Sequence, residues 1–286
     1  MADPRLREMI EARQFFVAPG IQDMITAVVA EKVGFTAVYG SGYWMTASAY
    51  GLPDAGIVSF TQLLDRMATL VRTTGSAVIA DADTGFGGLL NVHHTVRGYE
   101  DAGVSAIQIE DQEFPKKCGH TPFKRLVPVE DMVEKVKVAV AARRDPNFLI
   151  IARTDARQSE GLEGSIARAQ AYAAAGADIL FCEALTSEEE MKQACEQVPG
   201  PMMANMANGG LTPVLNAKAL AAAGYAFAIY PALTSLVAAS AMERALHRLK
   251  DDGDGQPDDL GVFDFKEFCG MIGFQEVWDF EKKWAR

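Results

Sequence analysis

Apolar positions follow two alternating rhythms along the chain. Short aliphatic or β-branched runs at Phe15–Ala18, Thr36–Tyr39, Ala77–Ala80, Ala106–Ile109, Phe148–Ala152, Ile179–Cys182, Met202–Ala204 and Phe227–Tyr230 read as eight strands. Between them, longer segments such as Ile21–Val33, Phe60–Thr73, Met132–Arg143 and Leu162–Ala175 repeat their apolar positions at the helical period. The pairs Val33-Gly34, Ala102-Gly103, Ala175-Gly176 and Ala223-Gly224 each close a helical pattern shortly before a strand. A helix stop favours glycine because the residue there takes positive φ, where a Cβ would clash. Eight such units without a composition break predict a single α/β domain over residues 1–250, a (β/α)8 barrel of TIM type. A doubly wound parallel sheet is the alternative for this spacing. Asp251–Asp259, rich in Asp and Gly, reads as a solvated linker. Phe263–Arg286 carries Phe, Trp and Met at helical spacing, an appended C-terminal helical tail suited to packing on the barrel or on a neighbouring subunit.

Composition narrows the function classes. With 286 residues, 49% of them hydrophobic and 23% charged, the chain can bury a large core and is not disordered. A net charge of −11 argues against general nucleic-acid or anionic-membrane binding, although a local basic cluster could still hold an anionic substrate. No run approaches the ~20 apolar residues of a membrane span, and Met1-Ala2-Asp3-Pro4-Arg5 is not the start of a signal peptide. Cys118, Cys182, Cys195 and Cys269 form no CxxC pair, so neither a zinc knuckle nor a disulfide framework is expected. These features predict a cytoplasmic protein.

In a parallel barrel the chemistry lies at the carboxyl ends of the strands, and here polar residues follow directly on the apolar runs. The second strand leads to Ser41-Gly42-Tyr43 and a loop bearing Asp54. The third ends at Asp81-Ala82-Asp83-Thr84-Gly85, the fourth at Glu110-Asp111, the fifth at Arg153-Thr154-Asp155, the sixth at Glu183 and the seventh at Asn205. Asp54, Asp81, Asp83 and Glu110 on one rim would repel one another unless neutralised. An oxygen-only set suits Mg2+, with Mn2+ the other choice, rather than zinc. Taken one at a time, these motifs have blander explanations: Asp83-Thr84-Gly85 as a turn and Glu110 as a lysine partner. After the fourth strand comes Pro115-Lys116-Lys117-Cys118-Gly119-His120. Its positive neighbours predict a lowered thiol pKa and make Cys118 a proton donor or acceptor, tuned by His120. Arg153 suits a substrate carboxylate, or a salt bridge to Glu183. The other three cysteines read as structural, and His93 and His94 as structural or surface residues. Neither Gly-rich segment, Thr84–Gly88 or Asn208–Gly210, has a phosphate-binding spacing.

Together, Ser41-Gly42-Tyr43, Gly51-Leu52-Pro53-Asp54, Ala80–Gly85, Ile109-Glu110-Asp111-Gln112, Lys116-Lys117-Cys118-Gly119-His120, Ile151–Ala156 and Phe181–Ala184 resemble the isocitrate lyase/phosphoenolpyruvate mutase superfamily over almost the whole chain. The short length is similar to its 2-methylisocitrate lyase and 2,3-dimethylmalate lyase branch. The resemblance implies a barrel whose final helix is exchanged within a homotetramer. It implies Mg2+ contacted by Asp83, with Asp54, Asp81 and Glu110 acting directly or through water. The substrate, a 2-hydroxy or 2-oxo carboxylic acid, would be held by the Ser41 and Gly42 backbone and Arg153, with Gly119, Glu183 and Asn205 completing the set. The loop would close as a gate, with Cys118 the general acid, Lys117 and His120 offsetting charge on a second carboxylate, and Tyr43 a candidate for the hydroxyl proton. The reaction implied is cleavage of the C2–C3 bond of a 2-hydroxy di- or tricarboxylate to a 2-oxo acid and a carboxylate.

Two departures bear on the substrate. Asn208 stands where the family's lyases often carry Glu, and Tyr43-Trp44 stands where 2-methylisocitrate lyases typically carry small glycines. Both favour a substituted malate over a tricarboxylate. Rival activities are a phosphonomutase of the carboxyphosphonoenolpyruvate type, which has a similar loop, and an oxaloacetate hydrolase that activates water. A non-catalytic barrel would be expected to lack one of the carboxylates or the cysteine, and this chain has them all.

Overall fold

The computed structural model describes residues 1–286 except 122, 254, 256–258 and 286. The chain opens with α1 (Pro4–Glu11), β1 (Phe16–Ile21), α2 (Met24–Val33), β2 (Ala37–Gly40), α3 (Gly42–Tyr50), α4 (Phe60–Thr73), β3 (Ala77–Asp81), α5 (Leu89–Asp101) and β4 (Ala106–Glu110). It continues through α6 (Val129–Ala142), β5 (Leu149–Thr154), α7 (Arg157–Ala174), β6 (Ile179–Cys182), α8 (Glu188–Gln197), β7 (Met203–Asn205), α9 (Ala217–Ala223) and β8 (Phe227–Tyr230). The tail holds α10 (Leu233–Asp252), α11 (Phe265–Met271) and α12 (Phe274–Trp284).

All eight anticipated strands form, and each paired neighbour is parallel, in the order β6-β5-β4-β3-β2-β1-β8-β7. A parallel bridge from Leu180 to Met202 brings the two ends of that order together, so the sheet curls into a nearly closed barrel, not a doubly wound sheet. The four glycine stops behave as the pattern requires, with φ of 98° at Gly34, 86° at Gly103, 102° at Gly176 and 103° at Gly224. Helix α7 kinks at Gly161 (φ 76°), immediately before the Leu162–Ala175 pattern.

Two apolar layers hold this frame. Helix-facing side chains such as Tyr99, Met132, Phe148 and Tyr172 fill the space between strands and helices. Inward-facing side chains, among them Ile79, Leu149, Ile151, Phe181 and Phe227, fill the barrel. Helix α1, which the hydrophobic pattern did not reveal, sends Leu6 into this interior cluster with no exposed surface. Asp3 caps α1 by accepting the Arg5 backbone N–H at 3.0 Å.

The tail is less covered. Ser235 is the one buried residue of α10, and α12 has none. Helix α11 buries Cys269 and meets α2, where Glu267 pairs with Lys32. Large apolar side chains remain open, including Phe265, Trp278, Phe280 and Trp284. Asp251 and Asp252 end α10, and much of the anticipated linker lies outside the described residues. Among the described residues, no helix is long and apolar enough to cross a membrane.

Candidate active site

The register of the parallel strands sets the rim. Glu110 pairs with Arg153 across β4 and β5, and Thr154 with Cys182 across β5 and β6, so consecutive strand ends present their polar residues side by side. After β3 the chain turns sharply: Asp83 has φ 47° and Gly85 φ 80°. The left-handed region costs a non-glycine residue energy, and here it delivers a buried carboxylate to the rim. Asp81 steadies the turn by accepting the Asp83 N–H at 3.0 Å.

Lys116 lies among these acids. Its ammonium stands 2.5 Å from Asp54 Oδ1 and 3.0 Å from Asp83 Oδ1, with all three side chains at least nine-tenths buried. Burial pushes Asp83 up to about 7, with Asp81 and Asp54 adding to the rise and Lys116 opposing it. Burial likewise raises Glu110, although Arg153 opposes it. Asp83 Oδ1 and Glu110 Oε1 are buried without a directed hydrogen bond. A single ammonium among four carboxylates leaves the cluster short of positive charge, and an all-oxygen set fits a hard divalent cation. Among the described residues, no three ligating side chains converge closely enough to enclose an ion alone. An ion here would therefore keep several waters and take one or two carboxylates, the usual habit of Mg2+.

The loop after β4 folds down over the rim. Gln112 brackets Lys117 by donating to its carbonyl at 2.8 Å and accepting its N–H at 3.0 Å. Lys124 donates to Asp155 Oδ1 at 2.9 Å and also to the Gly119 carbonyl. Gly119 is pressed so closely that an added Cβ would lie 2.1 Å from Arg153 Nη2 and 2.7 Å from Glu183 Cγ. The two adjacent lysines part company: Lys116 turns inward, whereas Lys117 is exposed and donates to the Phe123 carbonyl at 3.3 Å. Lys117 therefore does not reach the cavity, and the inward charge expected of it is carried by Lys116.

The same parting corrects the expectation for Cys118. Burial pushes its thiol up, with Asp54 and Glu183 adding to the rise, although the His120 backbone and Arg153 partly oppose it. One lysine is committed to carboxylates and the other to solvent, so neither lowers the sulfur's pKa. Burial thus favours the neutral thiol over the thiolate.

Arg153 lies directly against the gate, at Gly119. It donates through Nε to Asp155 Oδ2 at 2.9 Å and through Nη2 to Asp155 Oδ1 at 3.0 Å. Its Nε also lies 3.4 Å from Glu110 Oε2, and its Nη2 lies 3.2 Å from Glu183 Oε2. Asn205 donates to Glu183 Oε2 at 3.0 Å, and its own Oδ1 is buried without a partner. His120 Nδ1 lies 3.3 Å from the Leu211 N–H, and its Nε2 lies 3.4 Å from Asn205 Nδ2 and 3.6 Å from Glu183 Oε1.

Helix α3 begins at Gly42, tight against Asp81, where an added Cβ would lie 2.8 Å from Oδ2. Its N-cap, Ser41, makes no side-chain cap bond and is buried, so the positive end of α3 and the Ser41 hydroxyl remain available to an anion. A cavity of about 240 Å³ is bounded by Ser41, Tyr43, Cys118, Gly119, His120, Arg153, Glu183 and Asn205, and by Asp54 and Asp81. Gly42, Asp83 and Glu110 stand behind that lining. Sequence reasoning missed Lys116 as a rim residue, Tyr39 as part of the lining, and the Asp155–Lys124 pair. The one available signal was the lysine doublet itself, which does not say which member faces inward.

An α/β barrel with an arginine, a carboxylate cluster and a cysteine-bearing loop at the carboxyl ends of its strands has its polar groups where barrel enzymes carry out their chemistry. The chain belongs to the phosphoenolpyruvate phosphomutase family, whose model matches residues 6–250. It is thus an enzyme of the isocitrate lyase/phosphoenolpyruvate mutase superfamily, as its motifs implied, and its relatives include named lyases. It is 44% identical over 285 residues to the 2,3-dimethylmalate lyase of Eubacterium barkeri, covering 98% of this chain and 97% of that one. It is 43% identical over 285 residues to the 2-methylisocitrate lyase of Halalkalibacterium halodurans, covering 99% and 93%. The structure of a phosphonopyruvate hydrolase complex with oxalate and Mg++ superposes with a TM-score of 0.89 at 30% identity, covering 100% of both chains.

Proposed function

We propose that this protein is a Mg2+-dependent carbon–carbon lyase that cleaves a 2-hydroxy di- or tricarboxylate, preferably a substituted malate, to a 2-oxo acid and a carboxylate. The observation that carries the reading is the loop packed over the rim, which sets Cys118 on the wall of the cavity that Arg153, Asp54 and Asp81 also line. The likeness to lyases along nearly the full chain supports it.

In this mechanism the Ser41 hydroxyl, the start of α3 and Arg153 hold the carboxylate of the half that becomes the 2-oxo acid. Mg2+ held near Asp83, with Asp54, Asp81 and Glu110 close by, would supply the charge that stabilises an alkoxide and the 2-oxo product. Tyr43, on the cavity wall and partly exposed, relays the hydroxyl proton, accepting it as its own phenol proton passes to solvent. Lys116 offsets charge on the departing fragment and His120 hydrogen-bonds it, with Glu183 beside the imidazole. Cys118 then delivers its proton to the carbanion, a role that a thiol kept neutral by burial can fill. The packed loop, with Gly119 against Arg153 and Glu183, excludes water that would otherwise quench the carbanion.

The uncovered apolar faces of α10 and α12 support assembly with further copies, as a homotetramer that exchanges its final helix. The four cysteines are all free, which suits the reducing cytoplasm. Native mass spectrometry checks the assembly. The activity is tested by 2-oxo-acid release with Mg2+ from 2,3-dimethylmalate, 2-methylmalate, 2-methylisocitrate, isocitrate and oxaloacetate. Turnover of one 2-hydroxy acid supports the lyase. Turnover of oxaloacetate alone would mark a hydrolase instead, and silence across the panel in protein that binds Mg2+ would redirect the search to phosphonates.

A further inference from the structure

Arg153 carries one positive charge and faces three carboxylates: Asp155 in a two-point hydrogen bond, Glu183 at 3.2 Å and Glu110 at 3.4 Å. Left alone with them, its charge is already committed to the protein, and an incoming carboxylate meets net negative potential. The balance is altered by a residue of the gate loop. Lys124, with a side chain only 3% exposed, reaches back from the loop's return limb to Asp155 Oδ1 at 2.9 Å, the oxygen that also accepts from Arg153 Nη2. The same ammonium donates to the carbonyl of Gly119, the residue packed against Arg153. Asp155 is fixed from behind as well, because its N–H donates to Asp111 Oδ1 at 2.9 Å, and Tyr172 donates to Asp111 Oδ2 at 2.7 Å. The carboxylate therefore cannot follow Lys124 outward, and opening the loop must break the pair.

We propose that Lys124 is a positioning residue that couples closure of the loop to the readiness of Arg153: by sharing Asp155, it releases positive charge on the guanidinium for a substrate carboxylate only while the loop is shut. This rests on the reading above that Arg153 receives such a carboxylate. It goes beyond that reading by assigning a coupling between the gate and the anion site to a residue outside the Cys-Gly-His motif. Loop closure and carboxylate binding then favour one another reciprocally, as any two linked equilibria must. The order of events follows. An acid entering the open site meets an arginine still neutralised by its neighbours, and tight binding comes only as Lys124 docks.

The test compares wild type with Lys124→Met and Lys124→Arg, each as the full chain with Mg2+. Hydrogen exchange is followed at the amides of Lys117–Thr121, and oxalate serves as the probe dianion in calorimetry. In Lys124→Met, exchange across the loop should rise and oxalate affinity fall by about tenfold or more, the scale set by losing one partner of a buried charged pair. Lys124→Arg should recover part of both. If the wild type also turns over a hydroxy acid, Lys124→Met should lose in KM more than in kcat. Unchanged loop exchange and unchanged oxalate affinity in Lys124→Met would overturn the proposal. So would exchange that rises equally throughout the barrel, which would mark a merely structural role. These binding and exchange readouts need no turnover, so failure of the lyase reading would show separately, as a wild type that closes on oxalate yet cleaves nothing.

Discussion

Lys116 and Asp83 meet at 3.0 Å, both almost fully buried, on a rim where a further carboxylate oxygen, Glu110 Oε1, has no directed hydrogen bond. The ammonium thus stands among the groups that would hold a divalent cation, and the two positive charges oppose one another there. Removing the lysine should strengthen metal binding. Lys116→Met is expected to bind Mg2+ about tenfold tighter or more by calorimetry. It should also melt lower than wild type in chelator, because uncompensated buried carboxylates are costly, and gain more in Tm when Mg2+ is restored. Equal Mg2+ affinity in the two proteins would place the cation elsewhere.

Cys118 donates a proton in the proposed reaction, so its burial helps by keeping the thiol neutral. Cys118→Ser should lose at least about 100-fold in kcat, the lower range for a positioned general acid, with Tm and Mg2+ affinity unchanged. The sign of the pH dependence follows from the direction of the shift. An acid with a raised pKa stays competent through neutrality, and the rate declines only on the alkaline side, above the ordinary thiol value of about 8.5. A rate that instead rises with pH through neutrality would mean that the thiolate is the working form.

The barrel was legible because its signals are local. Each strand is a short apolar run, and each of Gly34, Gly103, Gly176 and Gly224 marks a helix end by a conformation that its own residue type favours. The positions of the rim residues were legible for the same reason, since Asp81, Asp83, Glu110, Arg153, Glu183 and Asn205 each lie within two residues of a strand's carboxyl end. The loop was not. Whether Lys116 or Lys117 points inward depends on where Gln112 fastens the backbone, a contact made in three dimensions. The Cys118 thiol was misjudged likewise: adjacency in sequence suggested stabilising charge, whereas both ammonium groups are directed away. Lys124 was passed over because its partner, Asp155, lies 31 residues on.

Helix α1 was also missed, because its short pattern points one residue, Leu6, into a cluster built from strands far along the chain. Leu6→Ala should lower stability by about 2–5 kcal/mol, the usual cost of a cavity at a fully buried leucine. The measurement is the urea midpoint at fixed protein concentration. Because Leu6 belongs to the interior cluster and not to the cavity lining, kcat/KM below the transition should stay within about twofold of wild type. A loss of activity in still-folded protein would show that this packing shapes the site.

Trp44 and Tyr43 bound the cavity side by side, their rings 4.8 Å apart, at the start of α3 where the anion is expected to bind. In a space of about 240 Å³, an indole limits the second substituent more than it limits the reacting carbon, so its effect should fall on substrate choice. Trp44→Ala is expected to raise the ratio of kcat/KM for 2-methylisocitrate over 2,3-dimethylmalate by about tenfold or more, within the range that pocket shape can supply. Alanine keeps α3 helical, so a general loss of activity through unwinding is avoided. The decisive quantity is the ratio, because a lesion in the rim or the gate would depress both substrates together. A ratio unmoved by the substitution would remove the aromatic pair from the account of specificity and leave Asn208, which also lines the cavity, as the residue to exchange for Glu next.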